Sequence, residues 1–445
     1  MTEHKPLMRA LRALRAGPLR GEFSPPGDRG FAARAMMLAS LAVGESRIAG
    51  FGETRENDLL IAALRTLGAH IEVADGIARI EGVGTGGYLA PEADLQFGTH
   101  AGTVTLGMGL VALYAFESRI GGAPALAARD FTPELAPLRL LGARVVANES
   151  RFLPVTLRGP RTPVALEVHL HHDTPDIKGS VLLAALNCPG LMTIVEPNPT
   201  HTATEALLGR FGVKVVARDL PGGIRETEMA GLQDLTAADI TVPGSLACAY
   251  YPILATLLVP GSNLLLHDVL AMPERLGVIL TLIEMGADIT LINRRAAEGF
   301  EFVDIRVRHS TLSGIEVPAE RVAALVEDYH LIALAAAFAT GTTTMPGLAE
   351  PEGRDRLTEL AQAITAAGGS ATRSADRLVV EGGGRLRGGV DLKARRDPAL
   401  TLIYLIMGMA ARDPVAIEDD SAAGIAYPGF VALFESLGVR FTRIG

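Results

Sequence analysis

TLGAHIEV (66–73) joins the end of an apolar helical pattern to an alternating run through one glycine, Gly68. The same arrangement recurs as LLGARVVA (140–147), RFGVKVVA (210–217), EMGADITL (284–291), AAGGSATR (366–373) and SLGVRFTR (436–443). Glycine just past a helix takes the left-handed conformation that ends it, and alternation after it marks a half-buried strand. Six copies spaced by roughly 70–80 residues define long units of mixed helix and strand rather than a solenoid. Upstream of each, an Ala/Leu/Met-rich helix runs through a small-residue turn into a β-branched strand, as in LASLAVGESRIAGF and LAAAFATGTTTMPGL. Three units per half give two α/β domains of similar build.

The halves also open alike. SPPGDRGFAARAMMLASLAVGESRIAGF (24–51) is echoed by TVPGSLACAYYPILATLLVPGSNLLLHDVL (241–270), each with a Pro-Gly turn before a helix. The expected division is residues 1–22 plus 244–445 in one discontinuous domain and 23–243 in the other, with a ligand cleft between them. In the first turn, Asp28 is a good N-cap, and Arg29 and Arg34 add charge to free helix N–H groups, the pattern of an anion site. The opening segment MTEHKPLMRALRALRAG reads as a surface helix or arm, without the apolar core of a secretory signal.

With 445 residues, 48% hydrophobic and 20% charged, the chain is globular. Its net charge of −9 argues against nucleic acid as a partner. Mean hydropathy is +0.28, yet the longest apolar runs are broken by Pro and Gly, so no membrane partner is expected. Cys188 and Cys248 both lie in apolar text, which fits free thiols in a cytoplasmic protein.

At this point the chain resembles the EPSP synthase (3-phosphoshikimate 1-carboxyvinyltransferase) family of enolpyruvyl transferases. The likeness is carried by GESRIAGF (44–51), GYLAPEADLQFGTHAG (87–102), LPVTLRGP (153–160), VLLAALNCPG (181–190), LIEMGADI (282–289) and YHLIALAAAFA (329–339). It implies a two-domain inverse α/β barrel, or α/β prism, with three βαβαββ repeats per domain. It also implies a monomer without a cofactor, acting on small anionic substrates. Family members move the enolpyruvyl group of phosphoenolpyruvate to an alcohol through a tetrahedral intermediate, using Lys and Arg for the anions and carboxylates for the protons.

Several positions depart from the family pattern. Its PGDKS-type loop is PGDRG (26–30), so Arg29 stands where the lysine would be, while Arg34 is kept. Arg129 matches the family arginine of LAARDF (126–131). Thr174, Pro175 and Asp176 occupy the Ser-Ser-Gln run, with Lys178 just after, and His201 replaces an arginine. Glu327 and Asp328 match the general-base pair in swapped order. In EGRDR (352–356) Glu352 and Gly353 replace a lysine and a glutamate, whereas Asp355 and Arg356 survive. Asp397-Pro398-Ala399 stands for an Asp-His-Arg triplet.

Asp176 and Glu352 beside a dianionic phosphate would cost several kcal/mol. The substitutions therefore predict a repurposed family protein that binds a small carboxylate ligand and does not perform ordinary EPSP synthesis. In that reading Arg29, Glu327 and Asp328 are catalytic, and Arg34, Arg129, Thr174, Asp176, Lys178, His201, Asp355 and Arg356 bind the ligand. The alternatives are an active carboxyvinyl transferase using a shikimate-like alcohol, and a non-catalytic binding protein. HLHHD (169–173) adds a weak metal candidate, His169 and His171 on one strand face, which a divalent ion could use.

Overall fold

A computed structural model describes residues 10–146, 151–171, 174–272, 275–297, 300–321, 325, 328–347, 356–374, 376–395 and 397–444. The chain divides into two compact units, residues 27–243 with 296–300, and residues 1–26 with 244–295 and 301–445.

The six repeated glycines all have positive φ: 108° at Gly68, 97° at Gly142, 85° at Gly212, 97° at Gly286, 90° at Gly368 and 89° at Gly438. Each ends its helix by the same pair of backbone bonds. Gly68 N–H donates to Arg65 O at 3.0 Å and Ala69 N–H to Leu64 O at 3.1 Å. Gly438 and Val439 repeat this on Glu435 and Phe434 at 3.0 and 2.9 Å. This double closure satisfies two otherwise orphaned helix carbonyls and needs a left-handed residue, which glycine adopts without a Cβ clash.

The strand that follows each glycine takes the same place, at the edge of its sheet. In the 27–243 unit the first sheet orders Asp239–Thr241, Glu45–Ala49, Ile77–Glu81 and His70–Ala74. The next orders Leu95–Gln96, Glu117–Gly121, Val155–Arg158 and Arg144–Val146. A third orders Glu167–His169, Leu191–Glu196, Arg225–Ala230 and Val215–Asp219. In each, the first pair is parallel and the other two antiparallel. The other unit places Asp288–Ala297, Ser370–Arg373 and Phe441–Ile444 at the edges of its three sheets.

Strands alternate buried and exposed residues, while the central helices are apolar on every side. Leu246–Leu258, Tyr329–Phe338 and Pro398–Ala410 are buried almost throughout. That placement accounts for the positive mean hydropathy, and no helix among the described residues is long and apolar enough to cross a membrane. The opening segment differs from its expected helix. Ala10–Ala13 is a strand paired with Asp413–Ile417 and Phe441–Ile444, burying Leu11 and Ala13. Leu-Arg-Ala alternation over four residues fits either period, and pairing on both edges selects the strand.

Helices Ala101–Ala112 and Pro175–Ala185 approach closely because Gly109 offers no side chain. A Cβ there would lie 2.1 Å from the Ser180 carbonyl oxygen. Gly109→Ala is expected to destabilise the protein by roughly 1–3 kcal/mol through overpacking, despite alanine's better helix propensity. A melting temperature equal to or above the parent's would contradict that contact.

Candidate active site

In the 27–243 unit, the first turns of four helices meet around Arg34. The doubled proline and glycine stop the preceding chain, and Asp28 caps Arg29–Leu41 by accepting from Phe31 N–H at 3.0 Å. One turn in, Arg34 is 2% exposed. It donates to Gly30 O at 3.0 Å, to Thr204 Oγ1 at 2.8 Å and to Asp176 Oδ1 at 2.6 Å. Thr204 belongs to Ala203–Arg210 and Asp176 to Pro175–Ala185. Gly102, second residue of Ala101–Ala112, completes the group, since a Cβ there would fall 2.3 Å from Asp176 Oδ2. Helix N-termini present unpaired N–H groups and the positive end of the dipole, so their convergence favours an anion.

Arg29, first residue of its helix, makes no ion pair with a described residue, and its charge is felt by His100. Desolvation, then Arg29, lower the His100 pKa to about 4, against the opposing pull of Glu56 and Asp176. The imidazole is therefore neutral near pH 7. Glu56 holds the loop beneath it, accepting from Thr99 N–H and Thr99 Oγ1 at 2.5 Å each and from His100 N–H at 3.3 Å. Burial would raise the Glu56 carboxyl, but these bonds and one from Thr103 hold it below its ordinary range.

Lys178 is fully buried. Its Nζ lies 2.7 Å from Glu205 Oε1 and 3.0 Å from Glu196 Oε2, and donates to Thr200 O at 3.4 Å. Desolvation raises the Glu205 pKa, with Lys178 pulling it back. Thr200 donates to Glu196 Oε1 through both its N–H at 3.1 Å and its hydroxyl at 2.6 Å. His201, which accepts from Ala203 N–H at 3.4 Å, sits at the entry to Ala203–Arg210, and Thr174 is exposed at the N-cap of Pro175–Ala185. Arg129 lies 2.6 Å from buried Glu134 and 5.3 Å over the Phe131 ring. His169 is exposed against Glu167 at 2.6 Å, and His171 lies beyond the strand end. Among the described residues no three potential ligands form a metal group, and His172 and Asp173 lie outside them.

The other unit gathers helix N-termini in the same manner. Asp328 is the N-cap of Tyr329–Phe338, and its charge reaches Tyr250 and Tyr251 of Leu246–Leu258. Burial first, then Asp328, push the Tyr251 hydroxyl well above its ordinary pKa, and it lies 3.4 Å from His330 Nε2. Arg356 opens Arg356–Ala366 and donates to Asp397 Oδ2 at 3.0 Å. Asp397 Oδ1 caps Pro398–Ala410, accepting from Ala399 and Leu400 N–H at 2.9 and 3.0 Å. Pro398 is tolerated there because the first helical N–H has no partner in any case. Glu327, Glu352, Gly353 and Asp355 lie outside the described residues.

Sequence spacing did not single out Glu56, Glu196, Glu205 or Tyr251. Glu56 and Tyr251 meet partners in another repeat, and Glu196 and Glu205 reach Lys178 from a later strand and helix of its own repeat. Glu56 precedes His100 by 44 residues, which no local pattern links.

Two α/β units, each gathering helix N-termini around arginines and acids, define a protein that holds small anions. The family model for EPSP synthase (3-phosphoshikimate 1-carboxyvinyltransferase) matches residues 15–434. A 3-phosphoshikimate 1-carboxyvinyltransferase of Chelativorans sp. (strain BNC1) is 38% identical over 445 residues, 99% of each chain. Another, from Methylobacterium sp. (strain 4-46), is 39% identical over 96% of this chain and 97% of its own. The solved EPSP synthase of Acinetobacter baumannii superposes with TM-score 0.88 at 28% identity, over 98% of this chain and 100% of that one. The chain belongs to the EPSP synthase family of enolpyruvyl transferases, enzymes of the shikimate pathway.

These matches overturn the expectation of a repurposed protein that has left ordinary EPSP synthesis. Relatives aligned over 96–99% of the chain at 36–39% identity carry the name 3-phosphoshikimate 1-carboxyvinyltransferase. The physical weight of one substitution also changes. Asp176, counted as a bare charge beside a phosphate, stands 2.6 Å from buried Arg34 and is neutralised there.

Lys178→Met would leave Glu196 and Glu205 buried without their cation, with an expected loss of about 3–5 kcal/mol of stability in denaturant unfolding. Adding Glu205→Gln should recover part of that loss; no recovery would count against the triad. His100 should titrate near pH 4 in the folded protein when followed by NMR. Its unfolded pKa is about 6.5, so the native state is favoured above that and loses this contribution as pH falls toward 4. A midpoint above pH 6 would refute the desolvated, Arg29-facing placement.

Proposed function

We propose that the chain transfers the carboxyvinyl group of phosphoenolpyruvate to shikimate 3-phosphate. The observation that carries this reading is similarity over essentially the full length to enzymes named for that reaction. In the reaction the acceptor hydroxyl loses its proton as its oxygen bonds to C2 of phosphoenolpyruvate, while C3 gains a proton. Inorganic phosphate then leaves C2 and C3 gives its proton back, restoring the double bond on the new ether. The protein must hold two anions and move protons at two positions.

Arg34 and Arg356 are the anion-holding groups whose orientation is fixed, by Asp176 and Thr204 in one case and Asp397 in the other. Arg29 supplies a further charge at a helix start, and Arg129 a fourth. Thr174, Lys178 and His201 belong to the 3-phosphoshikimate side in this reading, with Lys178 acting through the buried pair that fixes Pro175–Ala185. Asp328 beside two tyrosines is the described base candidate; Glu327 is the other acid of that pair in this reading, and Asp355 belongs with Arg356 to the ligand-binding set. The repeated sheet order and the buried helices support an inverse α/β barrel of three βαβαββ repeats in each domain, the domains being 1–22 with 244–445 and 23–243. A cytoplasmic setting suits the substrates and the two free thiols.

Phosphate release from phosphoenolpyruvate, dependent on shikimate 3-phosphate and matched by product in mass spectrometry, is the expected result. Asp328→Asn should lower kcat by roughly 10²–10⁴-fold if it moves a proton. Arg356→Met should lower kcat/KM by roughly 10–100-fold, the value of one charge-assisted bond. Joint stabilisation by both substrates with no phosphate released would replace this reading with a binding protein that does not turn over.

A further inference from the structure

Away from these helix ends, the sheet containing Arg20–Phe23, Asn263–Ala271 and Phe300–Arg308 carries a cavity of about 740 Å³. Arg20, Ser262, Asn263, Arg306, Arg308 and His309 line it. The register explains why three guanidinium groups share it. Asn263 pairs with Arg308 on one side and with Arg20 on the other, and Leu265 pairs with Arg306 two residues along. Residues at this spacing point to one face of a sheet, and strands two apart lie roughly 10 Å from each other. Arg20 and Arg308 therefore flank Asn263, with Arg306 beside them.

Three like charges on one face repel, and the acids of that face, Glu22 opposite Leu265 and Asp288 beside Arg308, stand on the two edge strands of the sheet. Arg308 has Asp288 at 3.4 Å, but Arg20 and Arg306 form no ion pair with any described residue. No acid lines the cavity. A chain of net charge −9 does not produce such a cluster through general basicity. The floor is ordered: buried Ser262 accepts from Leu19 N–H at 2.8 Å, and His309 Nδ1 is bonded to Leu257 O at 2.7 Å. The volume falls within the usual range for small-molecule sites. None of the arginines or acids assigned to the transfer reaction lines it.

We propose that this cavity is a second ligand site, binding a small polyanion with two or more phosphate groups. Guanidinium forks match phosphate oxygens in pairs, and a span of two strands suits adjoining phosphates better than a single one.

Calorimetric titration of the full chain with inorganic tripolyphosphate tests it, in parallel with Arg20→Gln/Arg306→Gln and an Arg294→Gln control on an exposed strand position. The expected result is binding to the parent and control, at least tenfold weaker in the double variant, with transferase turnover unchanged. Arg20→Lys/Arg306→Lys keeps the charge and loses the forks, so its affinity should fall between the two. It decides the matter if the glutamine pair does not fold. No binding by the parent overturns the proposal. Equal binding by parent and both double variants overturns it as well, since the anion would then sit elsewhere.

Discussion

A left-handed glycine at the end of a helix governs both units. At Gly68, Gly142, Gly212, Gly286, Gly368 and Gly438 the chain closes two backbone bonds and turns into an edge strand. With a Cβ at these positions the left-handed conformation would cost about 1–2 kcal/mol each, and the turn would lose its direction. Because the turn is the same each time, each helix leaves its sheet in the same sense. The helices then stack inside with the sheets around them, and helices that start from equivalent strands begin at the same end of a unit. Of the four helices that meet around Arg34, Ala203–Arg210 ends in this turn, whereas Arg29–Leu41, Ala101–Ala112 and Pro175–Ala185 end without it and reach Arg34 as the first helix of each repeat.

Helix starts gathered within a unit make a positive locus, and each unit has filled much of its own with its own charges. Arg34 is bound by Asp176, Arg356 by Asp397 and Lys178 by Glu196 and Glu205. Buried pairs of this kind add little net stability over an apolar core, but removing one partner is costly. Their effect here is geometric. A guanidinium with three fixed partners presents its remaining edge in one orientation, and a buried ammonium with two carboxylates ties the start of one helix to a strand and a second helix. Such fixed dipoles need no rearrangement when a charge develops on a bound substrate.

The fold was legible because its signal is local. A helix period, a glycine and an alternating strand fit in eight residues, and six copies corrected one another. Ala10–Ala13 was misread for the opposite reason: four residues cannot separate the two periods, and the partner strands come from the other end of the chain. Candidate site residues were legible where they followed a recognisable loop, as with Arg29 and Arg34 after the proline pair. Glu56, Glu205 and Tyr251 were not, since each acquires its meaning from a partner tens of residues away.

The same difference explains why the substitutions misled. Position by position, Asp176 replaces a neutral amide and counts as a charge opposed to phosphate. In the folded unit it lies on Arg34, so the pair contributes close to zero net charge. Asp397 was seen as the remnant of a lost triplet, yet it caps one helix and aims the arginine that opens another. A charge in a site of converging helix ends has to be summed with its nearest partners before its cost to a ligand is assigned. The 36–39% of positions shared with full-length relatives record that sum, whereas a single altered letter does not.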